Sequence, residues 1–222
     1  MRWRCPGFDQ EIEWNSQCHV NELVVESQAY WRQLIQDLYD HQEDGSGISL
    51  TKDGHALDFS SDVEVVTNPL NLDFNHRRVM LNLFKLLTNT ALSENHYLPT
   101  QQIKTQVASY IVDLVESSQI NFQVATDDFS LTQLAKAVNL HLVSDDNLLV
   151  RLTEYQEIMR DLGQTKLLIW LNLRSFLDDN ELAQLVTANA ERELDCLLLE
   201  STARNKLINV PRMIIDQDQC LI

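Results

Sequence analysis

Residues 167–171 read Leu-Leu-Ile-Trp-Leu, five apolar side chains with no polar position among them. A strand with one wet face alternates apolar and polar residues. An uninterrupted run therefore marks a strand covered on both faces, as in a parallel sheet with helices on either side. A helical segment follows, in which Asp178 or Asp179 supplies the N-cap and Leu182, Leu185 and Val186 share one face, and then a second apolar run, "DCLLLE". Near the other end, Leu23-Val24-Val25 feeds at once into "QAYWRQLIQDLYDH", where Trp31, Leu34, Ile35, Leu38 and Tyr39 recur at helical spacing. Strands alternating with helices predict an α/β fold built on a parallel sheet.

Between these two α/β stretches the texture changes. Ahead of the first stretch, short extended segments are predicted around Met1 to Arg4 and Glu11 to Trp14; after it, "ISLT" is a strand between turns at Asp44-Gly45 and Asp53-Gly54, and "DVEVVT" is a strand closed by Asn68-Pro69. From Asn75 onward the pattern is helical. "HRRVMLNLFKLLTNTAL" leads through a link, "SENHYLPTQQ", to a helix with Ile103, Val107, Tyr110, Ile111, Leu114 and Val115 on one stripe, Pro99 lying near its first turn. Ser130 and Gln133 form a capping box, "LHLV" is a brief extended piece, and Ser144 or Asp145 caps a helix running to Leu162. Gly163 closes it, and the tail "NVPRMIIDQDQCLI" holds two short strands. The organisation expected is an α/β domain over 1–75 and 163–222, interrupted by a mostly helical domain over 76–162.

Apolar residues make up 44% and charged residues 23% of the 222, the balance of a chain that buries a core. The opening "MRWRCPGFDQ" has no apolar leader core and no run reaches the length of a membrane span, so a cytoplasmic protein is expected. Cys5, Cys18, Cys196 and Cys220 show neither CxxC spacing nor a disulfide framework and read as reduced thiols. The net charge of −16 opposes indiscriminate attraction to polyanions. Phosphate contact depends on local basic density, however, and an oligomer can turn a modest patch from every subunit toward one surface.

A phosphate-binding strand-helix junction needs GxxxxGK[ST], because glycines admit backbone amides to the phosphates and lysine neutralises them. The first junction here is "ESQAYWRQ", and neither that motif nor GxGxxG occurs in the chain. The strand at 167–171 ends in Asn172, where a nucleotide-hydrolysing enzyme would carry a metal-binding acid. Glu200 ends the next strand at the edge where open α/β sheets bind ligands, and reads as structural rather than as a base. His19, His41, His55, His76, His96 and His141 show no metal-ligand spacing. Asp127-Asp128 and Asp145-Asp146 offer hard oxygen ligands of the kind calcium takes, but sit where helix N-termini take acids for capping. The bases available for DNA phosphate are His76, Arg77, Arg78 and Lys85 at the start of the helical block, Arg151 and Arg160 at its end, and Lys166, Arg174, Arg204 and Lys206 beyond, with Arg78 and Lys85 sharing a helix face.

The order of parts, "LVVESQAYWRQLIQDLYD", then "VEVVT", a long helical excursion, "KLLIWLNLRSFLDDNELAQLV" and "DCLLLE", resembles the accessory adaptation protein family of type II-A CRISPR systems, most clearly from Leu148 to Ile215. The resemblance implies a P-loop-ATPase-like α/β head without a nucleotide site, interrupted by a helical leg. It further implies a ring-shaped, non-enzymatic homotetramer that holds calcium and threads double-stranded DNA ends through a basic hole, independent of sequence. Its implied setting is spacer acquisition beside the CRISPR integrase complex and the RNA-guided nuclease. On this reading Arg77, Arg78, Lys85, Lys166, Arg174, Arg204 and Lys206 are the DNA-contacting candidates and Asp127 and Asp128 the calcium candidates. The dense acidic run of the family is reduced here to those two aspartates, and Lys166 stands alone before its strand. Two other readings compete: a degenerate nucleotide-handling enzyme using Glu200, and a protein-interaction scaffold that does not bind DNA.

Overall fold

The computed structural model describes residues 1–4, 8, 10–40, 48–117 and 130–222. They fall into two compact units, one of residues 1–74 with 144–222 and one of residues 75–143.

The first unit is built on a five-stranded, wholly parallel sheet. Its strands are β3 (Val20–Val25), β6 (Val63–Val66), β7 (Leu167–Leu171), β8 (Asp195–Glu200) and β9 (Arg212–Ile215), in the order β6-β7-β8-β3-β9. Every residue of β3, β7 and β8 is buried, which is why their sequences lack alternation. One face of the sheet, through Leu23, Val25, Ile169, Leu197 and Leu199, packs on Leu34 and Leu38 of α1 (Gln28–Asp40). The same core takes Trp3, Ile12 and Leu50 from a small antiparallel sheet of β1 (Arg2–Arg4), β2 (Glu11–Glu13), β4 (Ser49–Lys52) and β5 (His55–Ala56), ordered β2-β1-β4-β5. A short helix, α2 (Phe59–Asp62), precedes β6.

The helical domain expected over 76–162 ends at residue 143, because the last of its helices belongs to the sheet unit. That helix, α6 (Leu148–Asp161), buries Leu152, Tyr155, Gln156 and Met159. Tyr155 sets its ring 6.2 Å from that of Trp170 in β7 and donates its hydroxyl to Glu64 Oε1 in β6 at 3.0 Å. The N-cap is Asn147, whose Oδ1 accepts from Val150 N–H, rather than Ser144 or Asp145; Asp145 instead accepts from Asn147 N–H at 2.7 Å. Gly163 is required by close approach, since a Cβ there would lie 2.6 Å from the Met159 carbonyl oxygen. Between β7 and β8, α7 (Asp179–Arg192) opens on a full capping box: Asp178 accepts from Asn180 and Glu181 N–H, and Glu181 returns to Asp178 N–H. Asp178→Ala removes the acceptor of both bonds and is expected to destabilise the chain by about 1 kcal/mol, read by chemical denaturation.

The second unit comprises α3 (Arg77–Ala91), α4 (Glu94–Ser117) and α5 (Leu131–Ala137). The link expected over 93–102 is instead the start of α4, with Pro99 inside the helix. Its neighbours are exposed there, so water can take the carbonyl that the proline leaves unbonded. The Ser130/Gln133 capping box forms as the spacing predicts. "LHLV" joins no strand; Leu142 is held by the Asn75 side chain, which accepts its N–H at 2.8 Å and donates to its carbonyl at 3.0 Å. The turn expected at Asp44-Gly45 lies outside the described residues.

Candidate functional site

The carboxyl edge of the parallel sheet is organised by buried polar contacts. Asn172 adopts a left-handed conformation at the end of β7, with φ of 51°. Its Oδ1 accepts from Ser201 N–H at 2.8 Å and from the Ser201 hydroxyl at 2.9 Å, tying the ends of β7 and β8 together. Glu200 is 2% exposed and accepts Arg174 N–H at 3.1 Å. Burial pushes its carboxyl up to about 7, helped by the negative charge of Glu22 and opposed by the Arg174 amide and by the charges of Arg174 and Arg204. A cavity of about 400 Å³ beside the first strand-helix junction is lined by Val25, Trp31 and Ile35 with Glu26 and Arg32; neither glycine nor lysine is among its described lining residues.

Glu22 is a charged residue in the middle of a fully buried strand, and two arginines account for it. Arg174 Nη1 lies 2.7 Å from Glu22 Oε1 and Arg212 Nε 2.7 Å from Glu22 Oε2, the carboxylate being wholly buried. Arg174 Nη2 also reaches Asp179 at 3.2 Å. Expected as a DNA-contacting base, Arg174 is 2% exposed with its guanidinium committed to two carboxylates, so it offers no donor to a phosphate.

The remaining candidates separate by unit. In the helical unit, Arg77, Phe84 and Lys85 of α3 and Thr132 and Lys136 of α5 line a groove of about 610 Å³. Lys136 Nζ sits 5.8 Å from the centre of the Phe84 ring, a cation–π contact. No carboxylate is among the described lining residues, so three cations meet on an apolar floor in a chain of net charge −16. It is Arg77, not Arg78, that shares this groove with Lys85. Lys136 is not among the bases that the sequence singles out, although a base in the last turn of a short capped helix is visible in "LTQLAKAVN". In the sheet unit, Lys166 pairs with Asp62 at 3.0 Å while half exposed, and exposed Arg204 donates to Ser175 Oγ at 3.2 Å. Lys206 lines a separate groove of about 640 Å³ with Asp179 and His19, where opposite charges meet. Asp127 and Asp128 lie outside the described residues, and among the described residues no group of three or more His, Cys, Asp or Glu side chains is placed to hold a metal ion. No described helix is long and apolar enough to cross a membrane.

Fold and site together define an α/β protein with a helical insertion, carrying a cationic groove and no phosphate loop. Residues 39–219 match the family model of a CRISPR-associated protein, Cas_Csn2. The chain belongs to that family, the accessory adaptation family of type II-A CRISPR systems. Among solved structures it is similar to the crystal structure of Stu0660 of Streptococcus thermophilus, with a TM-score of 0.60 and 12% identity, over 97% of this chain and 74% of that one. The likeness is one of fold.

Proposed function

We propose that the chain is a non-enzymatic, sequence-independent binder of double-stranded DNA ends, acting as a ring-shaped homotetramer that supports spacer acquisition beside the integrase complex and the RNA-guided nuclease. The groove of Arg77, Lys85 and Lys136, with no carboxylate among its described lining residues, is the observation that carries this reading. Cations gathered away from carboxylates bind phosphate backbone without reading bases, and a ring gathers one such groove from each subunit. Self-association is supported by α4, none of whose residues is buried and along which Leu98, Ile103, Tyr110, Ile111 and Leu114 are exposed. Apolar surface on that scale marks an interaction face. Glu200, the one candidate for catalysis, is enclosed and hydrogen-bonded to backbone, which speaks for structure rather than chemistry.

The test is a gel shift at low salt comparing a linear duplex with a closed circle of the same sequence. Preference for the linear form is expected, and no shift of either DNA would leave the protein-interaction scaffold as the reading. Lys136→Glu or Lys85→Glu is expected to weaken binding to every sequence alike and to make the plot of log K against log salt shallower by about 0.9 for each phosphate no longer neutralised. Repeating the shift with a chelator examines Asp127 and Asp128, since loss of binding would assign calcium to them.

A further inference from the structure

We infer that Arg212 is a positioning residue for DNA binding: its guanidinium clamps the backbone of the loop over 201–211 so that Arg204 and Lys206 are presented from a fixed frame. The inference rests on the proposed DNA binding and on Arg204 and Lys206, two of the candidate bases, being among its phosphate contacts. In the sheet order, β8 and β9 flank β3, so the connection from Glu200 to Arg212 must cross β3, and it does so without a helix or strand. A crossing of that length with no ladder needs other partners for its carbonyls.

Arg212 supplies them with one rigid fork. Nη1 donates to the Arg204 carbonyl at 2.8 Å and Nη2 to the Asn205 carbonyl at 2.8 Å, while Nε is held by Glu22 Oε2 at 2.7 Å. The start of β9 is pinned as well, the Pro211 carbonyl accepting Glu22 N–H at 2.9 Å. Glu22 is wholly buried and its other oxygen is taken by Arg174, so the anchor of the clamp is fixed by the sheet itself. The Arg212 side chain is 10% exposed and its three donor nitrogens are all engaged, so it acts through the loop and not on phosphate directly. A planar five-donor group can bridge one carboxylate and two carbonyls; an ammonium keeps the ion pair but not that geometry.

Arg212→Lys is therefore the discriminating variant. It is expected to fold, to raise amide hydrogen exchange over 201–210, and to make the salt slope of duplex binding shallower by about 1.8 per engaged subunit, about 0.9 for each of the Arg204 and Lys206 charges. In an Arg204→Ala/Lys206→Ala background, where both clamped carbonyls remain, Arg212→Lys is expected to change binding no further. Binding by Arg212→Lys at the original strength and slope would overturn the inference, as would an equal loss in both backgrounds, which marks a merely structural role. Unchanged exchange over 201–210 would overturn the clamp itself, whereas failure of the unsubstituted chain to shift DNA would overturn the DNA reading and the positioning role with it.

Discussion

Glu22→Ala is expected to lower the unfolding free energy by about 3–5 kcal/mol, the cost of breaking a buried ion pair from one side. The carboxylate is wholly buried between Arg174, itself 2% exposed, and Arg212. Without it, Arg174 keeps only Asp179, a partner at the surface, and Arg212 keeps only carbonyls. Two guanidiniums left short of counter-charge in low dielectric cost far more than the methylenes removed. Replacing the trio together, as Glu22→Leu, Arg174→Met and Arg212→Met, is expected to recover most of the loss, because an apolar cluster of similar volume needs no counter-charge. Denaturant melts of the single and triple variants measure both. A loss below about 1 kcal/mol for Glu22→Ala would put the two arginines in contact with water rather than with a buried anion.

Glu200 makes stability depend on pH in a direction opposite to that of most carboxylates. Its folded carboxyl titrates near 7 against an ordinary value of 4.5. The unfolded chain thus loses this proton first, and between about pH 4.5 and 7 the folded state binds more protons than the unfolded one. The stability that Glu200 confers is fully present below 4.5 and is lost as pH rises through 7, by about 3 kcal/mol in all. Glu200→Gln keeps an oxygen to accept Arg174 N–H but holds no charge at any pH. It is expected to match the parent near pH 4.5 and to be more stable by up to about 3 kcal/mol at pH 8. Thermal melts across that range decide it, and equal melting temperatures at pH 8 would mean that Glu200 is ionised at no cost in the fold.

The strands of the parallel sheet were legible because their cause is local. Leu167–Leu171, the Leu23-Val24-Val25 core and the run into Glu200 are apolar at every position, and only a doubly covered strand tolerates that. Caps were legible for the same reason, as at Ser130 and Asp178, where donor and acceptor are three residues apart. The allegiance of α6 was not. Its apolar face predicts burial against something, and whether that is a neighbouring helix or the sheet depends on Tyr155 meeting Trp170 and on Tyr155 meeting Glu64, which lies 91 residues away. The basic set divides in the same way. Periodicity puts Arg78 and Lys85 on one helix face, whereas it is Arg77 that lines the groove with Lys85, and Lys136 joins them only because α5 folds back onto α3. Arg174 reads in sequence as one more surface base and is in fact buried, because its partner Glu22 lies 152 residues earlier in the chain.

The sequence by itself determined the alternation of strands and helices, the absence of a phosphate loop and the apolar framework that points to the family, all properties carried by runs of adjacent residues. Only the tertiary structure decided which charges are spent inside the fold and which are free to meet a ligand. Desolvation and counter-charge are set by residues far apart in the chain, and no local spacing encodes them.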